Sequence, residues 1–104
     1  MIRKNKYNAR KTQKDGITFD SVREAQRYLD LCVLERARDI QDLEIKPVYR
    51  ISHKGEPICK YIPDCRYKQD GKIIIEDVKG IRTEVYKLKR NMMKAFYGID
   101  ILET

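Results

Sequence analysis

Apolar residues recur at helical spacing from Val22 through Ala25, Leu29, Cys32 and Val33 to Ile40. Arg23, Arg27, Asp30 and Arg38 fall toward the other side. This period predicts an amphipathic helix over about 21–39. Ser21 stands where an N-cap belongs, with Glu24 three residues on, the spacing of a capping box. From residue 43 the pattern becomes extended. Residues 43–51 alternate loosely and carry Pro47, which predicts an edge or bulged strand. Lys54-Gly55-Glu56-Pro57 turns the chain, and 60–68 and 72–79 read as two further strands. Gln69-Asp70-Gly71 joins these two, and Asp-Gly favours a tight hairpin turn.

A second helix follows over 84–97, capped by Thr83 and stopped by Gly98. Val85, Leu88, Met92 and Phe96 form its apolar stripe, widened by Met93 and Ala95, while Lys87, Arg90 and Lys94 form a basic one. Asp15-Gly16 marks a turn before a short strand at 17–19, Gly80 ends the run of strands, and 99–102 is a short final strand. The order is helix, three strands, helix, strand. It predicts an α/β domain with a mixed central sheet flanked by two helices.

The 104 residues leave room for one domain, which buries roughly two-thirds of its unfolded surface. We divide the chain into a basic arm, 1–16, and a single domain, 17–104. The arm holds Arg3, Lys4, Lys6, Arg10, Lys11 and Lys14, with no acid before Asp15. A solvated terminus and an arm that follows a phosphate backbone explain it equally well. Lys and Arg total 23 against 16 acids, for a net charge of +7. Such a balance points to a polyanion, with nucleic acid ahead of an anionic membrane surface. The longest run of Ile, Leu or Val is Ile73-Ile74-Ile75, so no transmembrane helix is expected. The basic N-terminus has no apolar stretch behind it and is not read as a secretory signal. The expected location is the cytoplasm. Cys32, Cys59 and Cys65 are an odd set without a CxxC pair, and His53 is the single histidine. A zinc centre is not expected; the thiols read as reduced. Cys59 and Cys65 are expected on one strand, roughly 20 Å apart at ~3.3 Å per residue.

Chemistry enters through the hairpin register. If Asp70 and Gly71 are the two central turn residues, Gln69 faces Lys72, and counting back sets Asp64 opposite Asp77. Opposed residues share a face, with Cβ atoms roughly 4.5–5.5 Å apart. Lys79, two positions on, shares it as well, whereas Glu76 alternates away and is left outside the site. Opposed carboxylates repel, and burial raises the cost. A hard divalent cation that keeps several waters offsets it, and a nearby lysine can stabilise a developing oxyanion. A solvated face with Lys79 as a surface ion-pair partner is the plainer alternative.

Pro63-Asp64, then Asp77-Val78-Lys79, reads as PD…(D/E)XK. The chain resembles the PD-(D/E)XK nuclease superfamily, and most of all short phage-encoded endonuclease-like proteins. Phe19-Asp20-Ser21 with Glu24-Ala25, Tyr61-Ile62-Pro63-Asp64, Asp77-Val78-Lys79-Gly80 and the run from Thr83 to Lys89 carry the likeness. It implies an αβββαβ restriction-endonuclease-like core. It also implies Mg²⁺ or Mn²⁺ held by Asp64, Asp77, the Val78 carbonyl and Glu24, with Lys79 as the catalytic lysine. Capping-box geometry explains Glu24 without catalysis, so its role rests on the resemblance. Lys87 stands either at the edge of the site or in a solvated basic stripe. Tyr61, Tyr67, Tyr86 and Tyr97 are read as core or rim packing rather than base-stacking platforms.

The expectation is a metal-dependent DNA endonuclease, phage-type and acting in the host cytoplasm, that selects branched or junction DNA by shape. Arg10, Lys11, Lys87, Arg90 and Lys94 would grip the backbone. Cutting two strands takes two active sites, so a homodimer is the economical arrangement. The competing classes are a non-catalytic nucleic-acid-binding module on the same fold and an interaction protein whose charge only aids solubility.

Overall fold

A computed structural model describes residues 12–79 and 81–104. The strands are β1 (Thr12–Lys14), β2 (Ile17–Phe19), β3 (Gln41–Ile45), β4 (Tyr49–His53), β5 (Glu56–Tyr61), β6 (Cys65–Gln69), β7 (Lys72–Asp77) and β8 (Ile101–Glu103). The helices are α1 (Val22–Arg36) and α2 (Glu84–Tyr97). The main sheet has the order β3-β6-β7-β8; β7 and β8 run parallel and the other neighbours antiparallel. The protein is thus an α/β domain with a mixed sheet and two helices.

Three hairpins turn on the same two-residue geometry. Asp15-Gly16, Lys54-Gly55 and Asp70-Gly71 all carry positive φ at both positions, the I′ conformation that matches strand twist. At Asp70-Gly71 this turn sets Gln69 opposite Lys72 and carries the ladder to Cys65 opposite Glu76. That is the register expected from the sequence. Gly71 has φ +76° and open space around a would-be Cβ, so its value is conformational alone. Gly71→Val is expected to cost about 1–2 kcal/mol in urea unfolding, the penalty of a left-handed backbone on a residue with a Cβ.

The element list corrects several expectations. The expected strand 43–51 is two strands in different sheets, because the chain breaks at Lys46-Pro47, where Pro47 has no N–H for a ladder. The expected strand 60–68 likewise splits into β5 and β6 at Ile62-Pro63-Asp64, and Pro63 is fully buried there. Cys59 and Cys65 therefore lie on separate strands in separate sheets; all three thiols are free. The arm does not extend to residue 16, because Thr12–Lys14 pairs with β2. Helix α1 stops at Arg36 rather than 39: Arg38 is left-handed at φ +65°, and the Asp39 N–H donates back to the Leu34 carbonyl. Strand β7 ends at Asp77 and β8 begins at Ile101. Helix α2 spans the expected residues, with Thr83 as N-cap and Gly98 left-handed at its end.

Two apolar clusters cover the two faces of the sheet. Leu31 of α1 packs with Ile40, Cys65 and Tyr67 on one face. On the other, Ile75 packs with Tyr86 and Met93 of α2 and with Ile51 and Tyr61 of the β4–β5 hairpin. Each helix buries part of its expected stripe and exposes the rest. Val22 and Val33 of α1 are exposed while Ala25 and Leu31 are buried. Val85, Leu88 and Phe96 of α2 are exposed while Tyr86 and Met93 are buried. Because β7 alternates, Ile74 and Glu76 face α1 while Ile75 and Asp77 face α2 and the hairpin.

Candidate active site

Asp64 follows buried Pro63 in the bend that leads into β6. It is the residue before the last ladder pair, Cys65–Glu76, as Asp77 is the residue after it, and the two carboxyls interact. Two backbone bonds hold it. The Lys46 N–H donates to its carbonyl at 2.9 Å, and the Val78 N–H donates to its Oδ2 at 2.5 Å. Asp77 closes β7 and is 2% exposed. The Tyr61 hydroxyl donates to its Oδ2 at 2.6 Å, and Lys79 Nζ lies 3.3 Å from the same oxygen. Lys79 is fixed from behind by Tyr86, whose ring centroid is 4.4 Å from Nζ. Strand alternation thus brings Asp77 and Lys79 together, and the turn register sets Asp64 beside them.

Glu24 arrives from the first turn of α1. Ser21 caps the helix by accepting from the Glu24 N–H at 3.1 Å. The Glu24 side chain instead lies toward Asp64, whose carboxyl it pushes up. Glu24 Oε2 is buried with no hydrogen-bond partner among the described residues. Glu24, Asp64 and Val78 line one cavity of about 20 Å³, room for roughly a single water.

The electrostatics follow from burial. Burial pushes the Asp64 carboxyl up to about 7; Glu24 pushes the same way, and the Val78 N–H and Asp77 pull back. Burial also pushes Asp77 up to about 7, opposed by the Tyr61 hydroxyl and Lys79 and reinforced by the charge of Asp64. Burial and the bond to Asp77 hold the Tyr61 phenol far above its ordinary value. Two carboxyls that resist ionisation, beside a third with an orphaned oxygen, form a donor set short of positive charge.

That donor set fits a hard cation such as Mg²⁺ or Mn²⁺. Among the described residues, no three His, Cys, Asp or Glu side chains are gathered into a ready-made ion cage. The arrangement suits a cation bound by one or two carboxylates that keeps its remaining waters.

The other nominated residues stand apart from this centre. Lys87 pairs with Glu84 at 3.2 Å, Lys94 with Asp100 at 2.7 Å, and Arg90 with Glu103 at 3.4 Å. The stripe expected to be free for phosphate is thus tied up in ion pairs. Arg10, Lys11 and Gly80 lie outside the described residues. One important pair escaped sequence reasoning. Glu76, set aside as facing away, is completely buried; its two oxygens accept from Arg27 Nε at 2.7 Å and Nη2 at 2.9 Å. Tyr67 donates to it at 2.5 Å. Arg27, expected on the polar side of α1, turns inward for this contact. An acid inside the most apolar strand was the available signal, since a buried charge demands a partner.

The fold and these side chains define an α/β domain with an acidic centre and an adjacent lysine where β6 and β7 meet. The chain belongs to the family described as Protein of unknown function (DUF1064), whose model matches residues 4–101. No curated protein matches the chain. No described helix is long and apolar enough to cross a membrane.

Proposed function

We propose that the protein is a metal-dependent DNA endonuclease built on an αβββαβ restriction-endonuclease-like core. With the β1–β2 and β4–β5 hairpins set aside, α1, β3, β6, β7, α2 and β8 run in that order, which supports the fold reading. One observation carries the activity. Desolvated Asp64 and Asp77 stand together beside Lys79, with a buried, unpartnered Glu24 oxygen at the same centre.

Asp64 and Asp77 would hold the metal, with Glu24 and the Val78 carbonyl as the further residues that could reach it. When bound, Mg²⁺ or Mn²⁺ supplies Lewis-acid stabilisation of the phosphoryl and leaving oxygens. Lys79, anchored between Asp77 and the Tyr86 ring, holds its ammonium where negative charge develops and orients the attacking water. Tyr61 fixes Asp77 Oδ2, so the carboxylate would present one orientation to a metal. A preference for branched DNA and a homodimeric state belong to the same proposal.

The test is incubation with linear, flapped and four-way DNA, in Mg²⁺ or in chelator, beside Asp77→Ala. Cleavage is expected in Mg²⁺ alone and is expected to vanish in the variant. No cutting of any DNA under any divalent ion would overturn the enzyme. One observation favours a second reading, a non-catalytic nucleic-acid-binding module: the absence of a ready-made cage among the described residues. In that case Asp77→Ala leaves DNA affinity unchanged and no cleavage is ever seen.

A further inference from the structure

We propose that Lys60 and Lys89, with Lys79, line a groove that binds the nucleic-acid backbone beside the scissile phosphate; this rests on the nuclease reading. The groove has a volume of about 400 Å³ and lies between β5 and the first turns of α2. Lys79 belongs both to this groove and to the acidic centre, so the groove opens onto Asp77. No acidic residue lines it.

Ion pairing separates this groove from the basic stripe of α2. Lys87, Arg90 and Lys94 are each matched to an acid, as are Arg66, Lys68 and Arg82. Lys60 and Lys89 make no ion pair among the described residues. Asp77 offsets the charge of Lys79 alone, so the Lys60 and Lys89 ammonium groups in the same groove repel one another, and a polyanion relieves that repulsion. The volume exceeds what a single phosphate fills, and Ile62, next to β5, and Val85, on α2, line it half or more exposed. Alternating cationic and apolar contacts suit a sugar-phosphate chain, in which charged phosphates are separated by apolar sugar faces. The groove also explains how a chain whose α2 residues Lys87, Arg90 and Lys94 are ion-paired can still hold DNA through Lys89 and Lys60.

The test measures binding and cutting separately on the full chain. Binding of a fluorescein-labelled flap duplex is followed by anisotropy, in chelator, across a salt series. Lys60→Ala/Lys89→Ala is expected to lose about 10- to 100-fold in affinity at 0.1 M salt. Its log–log salt slope becomes shallower by about 2, one for each lost phosphate contact. Lys87→Ala/Lys94→Ala is expected to match the wild type. Thermal melts confirm that the variants fold. Wild-type affinity and slope in the Lys60/Lys89 variant, or no salt-sensitive binding by the wild type, overturns the groove. Cleavage by the wild type is scored in parallel in Mg²⁺. If the groove variant binds weakly but the wild type never cuts, the groove stands and the nuclease falls. If the wild type cuts and the variant binds normally, the nuclease stands and the groove falls.

Discussion

Asp77→Asn is expected to reduce Mg²⁺-dependent DNA cleavage by about a thousand-fold or more, while the metal-free protein melts higher than the wild type at pH 8. The two effects share one cause. Asp77 is 2% exposed, and its carboxyl is pushed from an ordinary 3.8 up to about 7, first by burial. The folded state therefore binds the proton more tightly than the unfolded chain. The favourable contribution of the protonated group is fully present below about pH 4 and is lost as pH rises through about 7. At pH 8 the wild type carries the whole penalty of a desolvated, repelled carboxylate. Asparagine keeps the size of the side chain and can still accept from the Tyr61 hydroxyl, yet cannot ionise. Its melting advantage is expected to close as pH falls toward 4. Mg²⁺ is expected to raise the melting temperature of the wild type at pH 8, because a ligand of the folded state alone stabilises it. The same addition is expected to leave Asp77→Asn unmoved. Calorimetry over pH 4–8, with and without Mg²⁺, reads all of this. Full cleavage by Asp77→Asn would remove Asp77 from the chemistry.

Arg27→Ala is expected to be the most damaging single change to the fold, costing about 3–5 kcal/mol in urea unfolding. Glu76 is completely buried, and Arg27, its charged partner, donates two hydrogen bonds to it. Removing the arginine leaves the carboxylate in an apolar site with Tyr67 and, at 3.4 Å, the Thr104 hydroxyl as its donors. The pair also holds the Arg27 guanidinium well above its ordinary value. Replacing both partners, Arg27→Leu with Glu76→Leu, is expected to recover most of the loss, because no buried charge is then stranded. A single Arg27→Ala costing less than about 1 kcal/mol would show that water reaches Glu76. The pair also ties α1 to β7 one helical turn from Glu24 and one residue from Asp77. Its loss is therefore expected to loosen the acidic centre as well.

Local chemistry carried much of this molecule in legible form. Asp70-Gly71 specifies an I′ turn by its own backbone preference, and one correct turn sets every pair from Gln69–Lys72 to Cys65–Glu76. Thr83 and Gly98 bound α2 through bonds made within a few residues of each end. The proximity of Asp64, Asp77 and Lys79 followed from these alone, since strand alternation is a property of the backbone. The break at Pro63 was harder to read. Its neighbours Tyr61 and Tyr67 have ordinary strand character, and only the layout of the sheets sends β5 and β6 to different partners.

The sequence by itself determined the turns, the helix caps, the β6–β7 register and hence the meeting of two aspartates with a lysine, because each depends on residues close along the chain or on a single ladder. Tertiary structure alone decided how much of each helix stripe is buried, that Arg82 and Arg90 meet Glu103, and that Arg27 reaches Glu76. These depend on contacts between residues up to 49 positions apart, which no local periodicity encodes.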